Sequence, residues 1–136
     1  MIGVAIIGAG IGREHLAGYR ALGARFAVRR LIDLDIGRAV EVAGGDTDIR
    51  IGADIAEALA DPAIDLVDIC LPPHLHVPIA LEALQARKHV IVEKPIAPSL
   101  ADCDLLAAAE GASGCRLFPV FQYRYGAGTA ALDALI

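Results

Sequence analysis

The stretch from Met1 to Leu16 constrains this chain more than any other part of it. Val4 to Ile7 is a short apolar run, β-branched except at Ala5, that reaches Gly8 without a polar break. A strand buried on both faces reads this way, because neither side-chain direction meets water. Gly8, Gly10 and Gly12 then punctuate the chain, and a helical pattern follows with Leu16, Tyr19 and Leu22 on one face. Strand, glycine turn and helix in that order predict a dinucleotide phosphate site at residues 8 to 13. Glycines let the backbone turn sharply and approach a pyrophosphate, and the helix behind them offers unpaired N–H groups and about half a positive charge. The spacing departs from Gly-x-Gly-x-x-Gly, since Arg13 stands in the third glycine's place and Gly12 comes one residue early. The turn is either a shortened variant or one whose helix begins sooner.

With 136 residues, 56% of them hydrophobic, the chain is long enough for one ordinary folded domain. Its longest apolar stretches fall well short of the roughly 18 residues that would span a bilayer. The first strand begins at about residue 2 with no basic leader, so no secretory signal is expected. A net charge of −5 argues against a nucleic-acid partner, while an anionic cofactor held locally by backbone N–H groups stays compatible with it. Cys70, Cys103 and Cys115 are odd in number and lack metal-ligand spacing, which fits a reducing cytoplasm and a small core residue at Cys70.

Strands are expected at Phe26–Ile32, interrupted by Arg29 and Arg30, and at Ile49–Ile51, Leu66–Leu71, His89–Val92 and Leu117–Phe121. Helices are expected from Ile36 to Ala43, from Asp54 with Glu57 as a capping box, from Val77 to Ala86, from Ser99 and Asp102 to Glu110, and from Thr129 to Ile136. This alternation predicts an α/β fold: a doubly wound parallel sheet with helices on both faces. Ligands of such sheets sit at the carboxyl ends of the strands. Gly8 to Gly12, Asp33, Pro72 to His76, Glu93 to Pro95 and Gln122 to Arg124 all fall there.

Asp33 lies 25 residues beyond Gly8, where a βαβ unit places the carboxylate that grips the adenosine ribose. Two vicinal hydroxyls want a bidentate acceptor, and a carboxylate there repels a 2′-phosphate, so NAD is favoured over NADP. Asp35 competes for the role but also suits the cap of the following helix, and Arg38 keeps NADP open. Glu93-Lys94-Pro95 closes the fifth strand: the proline restricts the Lys94 backbone to extended conformations, and neighbouring strands are expected to wall the lysine in. The bland alternative is an ion pair at a strand end.

The runs IDLVDICLPPHLH from Ile64 to His76, ALEAL from Ala80 to Leu84 and KHVIVEKP from Lys88 to Pro95 resemble the Gfo/Idh/MocA family of dehydrogenases, relatives of glucose–fructose oxidoreductase and inositol dehydrogenase. Pro73 stands where that family usually has asparagine; His15 after the glycines and Tyr123-Arg124-Tyr125 after the sixth strand also match. The resemblance implies that Gly8, Gly10, Ile11 and Gly12 cradle the pyrophosphate and that Asp33 takes the adenosine ribose. It implies that Leu71, Pro72 and His76 line the cleft, that Glu93 sits by the nicotinamide ribose, and that Lys94 reaches the reacting hydroxyl of a sugar or polyol. Arg124 belongs to the same cofactor-binding set, while His15 and His89 are read as structural.

The resemblance implies a second, α+β domain that supplies the substrate pocket, which is expected to be truncated or absent in this chain. Residues 1–125 are therefore expected to form the Rossmann domain and 126–136 to begin a truncated or absent second one. Three readings follow: the cofactor domain of an NAD(P)-dependent oxidoreductase, a non-catalytic dinucleotide-binding or interaction module, or a decayed domain. An uncovered sheet edge or cleft makes a homo-oligomer the expected state.

Overall fold

In a computed structural model that describes residues 1–134, the chain forms a parallel sheet of six strands in the order β3-β2-β1-β4-β5-β6. These are β1 (Ile2–Ile7), β2 (Phe26–Ile32), β3 (Arg50–Gly52), β4 (Leu66–Ile69), β5 (His89–Val92) and β6 (Leu117–Pro119). Between them run α1 (Ala9–Ala21), α2 (Ile36–Ala43), α3 (Ile55–Ala60), α4 (His76–Gln85) and α5 (Leu100–Ser113), and α6 (Ala127–Asp133) follows β6. The last two residues of the helix expected at Thr129–Ile136 lie outside the described residues. The parallel, doubly wound arrangement expected from the alternation is therefore the fold.

Successive strand side chains point to opposite faces, and the apolar run of β1 uses both. Val4 and Ile6 join Leu16 and Tyr19 of α1 and Ala39 and Val42 of α2 in one buried cluster. Ala5 and Ile7 join Ile79, Ala83 and Leu84 of α4 and Leu106 of α5 in the other. Leu22 does not share the buried face expected of it; it follows the last residue of α1 and is exposed.

The two arginines inside β2 are accommodated by a shift in register. Val4 pairs with Val28 but Ala5 pairs with Arg30, so Arg29 is passed over. Arg30 then reaches Asp61 at 2.8 Å and Glu57 at 2.9 Å. This engagement explains why Glu57 does not complete the expected capping box: Asp54 alone caps α3, accepting from the Ala56 amide. Several boundaries move by a few residues. β4 and β6 end early, at Ile69 and Pro119, because Pro72 and Phe121 lead directly into short 3-10 turns at Pro73–Leu75 and Gln122–Tyr125.

β1 lies between β2, which follows it through α1, and β4, which the chain reaches by crossing back from β3. Connections leave these two strands in opposite directions, and the crevice opens where they diverge, at the carboxyl ends of the sheet.

Candidate cofactor site and active site

Helix α1 begins at Ala9, immediately after Gly8, so the turn is compressed by an early helix start. Each of the three glycines meets a different demand. Gly8 turns the chain at φ 101°, and a Cβ there would lie 2.4 Å from the Cys70 carbonyl oxygen. Gly12 packs onto β1, where a Cβ would come within 2.8 Å of Ile6 Cγ2. Gly10 has nothing within 4 Å of its Cβ position, which leaves the backbone open to a ligand. A tight turn, an open approach and a close helix–strand contact are the three functions that glycines serve in a pyrophosphate cradle. Gly10 and Ile11 lie in the first turn of α1, where no carbonyl one turn back is available to their amides.

Asp33, just past β2, faces this turn. Its Oδ2 accepts from the Ala9 amide at 2.7 Å and its Oδ1 from the Asp35 amide at 2.8 Å. The carboxylate thus locks the glycine turn to the end of β2. Each oxygen keeps lone-pair capacity for a further donor, as two ribose hydroxyls require. Asp35 takes the other position weighed for it: it caps α2, accepting from the Arg38 amide at 3.0 Å, and that bond holds its carboxyl below the usual range. Arg38 pairs with Asp35 at 3.2 Å and reaches within 3.8 Å of Asp33.

After β4, Leu71 lies against the glycine turn, its Cδ2 3.0 Å from the Cβ position of Gly8, and Pro72 next to it is exposed. His76 does not line the cleft as expected. It is fully buried, with Nδ1 2.7 Å from the Pro95 carbonyl and Nε2 2.7 Å from the Leu71 carbonyl. The ring ties the segment after β4 to the segment after β5, both of which border the crevice.

Lys94 is also placed differently from the walled-in position expected. It is exposed, while Glu93 before it is buried, and among the described residues no carboxylate lies within ion-pair distance of its ammonium. The reason is the two-residue alternation at the strand end: Glu93 takes the inward direction and Lys94 the outward one. The Lys94–Pro95 peptide is cis. Arg124 lies on the 3-10 turn after β6 and is exposed.

A buried polar cluster beneath the crevice escaped the sequence reading of His15 as merely structural. His15 Nδ1 lies 2.9 Å from Asp68 Oδ2, and its Nε2 lies 3.2 Å from Glu93 Oε1. The Tyr19 hydroxyl donates to Asp68 at 2.8 Å, and the Cys70 sulfur sits 3.4 Å from His15 Nδ1. The hydrogen bond to Asp68, aided by the charges of Asp68 and Glu93, raises the His15 pKa against the opposing effect of burial. Burial and the Asp68 charge push the Tyr19 hydroxyl and the Cys70 thiol upward, so both stay protonated. The signal was present in Asp68, the one charged residue of β4, because a fully buried carboxylate demands partners.

The glycine turn, the acid after β2 and the strand order define a dinucleotide-binding Rossmann domain. The chain belongs to the Gfo/Idh/MocA family: residues 2–121 match this oxidoreductase family with its NAD-binding Rossmann fold. Inositol 2-dehydrogenase 1 of Saccharopolyspora erythraea is 36% identical over 118 residues, which cover 84% of this chain and 34% of that enzyme. The inositol 2-dehydrogenase of Mycolicibacterium smegmatis is 34% identical over 137 residues, covering 98% of this chain and 39% of its own length. GenD2 from gentamicin A biosynthesis, solved with NAD, matches the fold with a TM-score of 0.91 at 30% identity, over 98% of this chain and 38% of its own. The WlbA dehydrogenase of Bordetella pertussis, solved with NADH and UDP-GlcNAcA, gives 0.87 at 29% identity, over 96% and 41% respectively. The chain thus spans 34% to 41% of the length of these relatives and corresponds to their NAD-binding domain. Among the described residues no helix is long and apolar enough to cross a membrane.

Proposed function

We propose that this domain holds NAD for a dehydrogenase that oxidises a hydroxyl of a sugar, polyol or related compound. The observation that carries the reading is the convergence of the open Gly10 backbone, the Asp33 carboxylate and Lys94 on one end of the sheet. The inositol 2-dehydrogenases among its relatives support the substrate class. NAD, when bound, accepts the hydride. The chain's own residues bind and orient: the Gly8 to Gly12 turn receives the pyrophosphate, and Asp33 receives the adenosine ribose. Leu71 and Pro72 border the cofactor, and His76 holds that border in place. Glu93 and Lys94 stand at the nicotinamide end, where the Lys94 ammonium hydrogen-bonds the reacting oxygen and stabilises its developing negative charge. Arg124 lies on the same rim.

In the complete dehydrogenase the rest of the substrate pocket comes from a second domain, of which residues 126–136 are the truncated start. Phe118 on the edge strand β6 shares an apolar groove with Ile2, Leu66 and Ile91, and Phe121, Tyr123 and Tyr125 are exposed beyond it. Burial of this surface against a second copy would make the protein a homo-oligomer, which light scattering over a concentration series tests. NADP is the weaker ligand, because Arg38 is already held by Asp35.

Calorimetric titration of the chain with NAD, and separately with NADP, tests the cofactor reading. Saturable NAD binding that is weakened in Asp33→Ala supports it; preference for NADP, or no binding of either, overturns it. In the complete enzyme, Lys94→Ala is expected to lower turnover by a factor of about 10² to 10³ with little change in NAD affinity. Retention of most activity removes Lys94 from the mechanism.

A further inference from the structure

Asp68 is fully buried in β4, where an unpartnered carboxylate would carry a large desolvation penalty. Its charge is met by Tyr19 and His15, two α1 residues one helical turn apart. The opposite edge of the His15 ring meets Glu93 Oε1 at 3.2 Å, and Glu93 Oε2 accepts from the Lys94 amide at 3.0 Å. A continuous chain of polar contacts therefore runs from β4 through α1 to the main chain of Lys94.

We propose that His15 is a positioning residue that holds Glu93, and through it the Lys94 backbone, in place beside the glycine turn. The value of this placement to the reaction rests on the role proposed above for Lys94. An imidazole donates from both nitrogens only when protonated, and a neutral ring serves one carboxylate at a time. Asp68 is the more deeply buried partner and the closer one, so it keeps the remaining proton and Glu93 is released. The groups facing the ring are Tyr19 from α1, Asp68 and Cys70 from β4, and Glu93 at the end of β5. Neighbouring Arg13 is turned away to Glu41. The tether is intact while His15 is protonated and loosens as pH rises through its raised pKa.

The test is an NMR pH titration of the isotope-labelled chain, following the His15 ring nitrogens and the Lys94 amide. The Lys94 amide is expected to shift with the midpoint of the His15 ring nitrogens. In His15→Gln the Lys94 amide is expected to lose this transition, and NAD affinity to fall roughly tenfold, the scale of one charge-assisted hydrogen bond. A Lys94 amide in the unaltered chain that ignores the His15 transition overturns the proposal without recourse to any variant. The same transition persisting in a folded His15→Gln variant also overturns it. Both readouts stand without turnover, so a correct tether with an inactive Lys94 role is told apart from a wrong tether.

Discussion

Gly10→Ala separates folding from binding at the glycine turn. Gly10 lies in the first turn of α1, and nothing approaches within 4 Å of the position its Cβ would occupy. Alanine there meets no clash and removes the entropic cost of glycine in a helix, a gain of about 0.5–1 kcal/mol. For a chain of this length that gain corresponds to a rise in Tm of about 2–4 °C. In the function proposed above, the space it fills is the one through which a pyrophosphate reaches the Gly10 and Ile11 amides. Loss of those charge-assisted bonds costs roughly 3 kcal/mol or more, a hundredfold or greater weakening of NAD. Gly8→Ala is the counterpart. Its Cβ would strike the Cys70 carbonyl at 2.4 Å, on a backbone at φ 101°, so a stability loss of roughly 2–5 kcal/mol is expected. Urea denaturation and calorimetric titration of both variants provide the measurements. A Gly10→Ala protein that binds NAD as tightly as the parent refutes the assignment of that open space, and one that is strongly destabilised refutes the packing argument.

Asp33→Ala removes the acceptor for the Ala9 and Asp35 amides; a stability loss of about 1–2 kcal/mol should accompany the weakened NAD binding, measurable by denaturation without ligand. Because the folded His15 pKa is raised, its contribution to stability is complete below the ordinary histidine value and disappears as pH rises through the raised one. Urea midpoints on either side of that range should differ for the parent chain and converge in His15→Gln; an equal pH dependence in both contradicts this origin. Lys88, at the opposite end of the sheet, donates to the Asp61 and Ile64 carbonyls at 2.9 and 2.8 Å. Lys88→Met leaves both without that donor, and a loss of about 1–3 kcal/mol with unchanged NAD affinity is expected; reduced affinity would tie this end of the fold to the cofactor site.

By itself the sequence determined the architecture and the position of the glycine turn of this protein, because both are written in short-range preferences. The unbroken apolar run of Val4 to Ile7 demands cover on two faces, and the glycines after it mark the turn within a few residues. Asp35, Asp54 and Ser99 each cap a helix that starts at the next residue. Only the tertiary structure decided which side chains face the crevice. Strand-end position predicts a walled-in Lys94 and the family resemblance a cleft-lining His76; the fold exposes the first and closes the second between the Leu71 and Pro95 carbonyls. The His15 cluster joins residues 53 and 78 positions apart, in contacts made by the order of β1, β4 and β5 in the sheet. Backbone propensity and capping act over one or two turns of chain, whereas the partners of a buried charge are set by strand order and register. For that reason Asp68 showed that a partner was needed, and the folded sheet alone supplied His15.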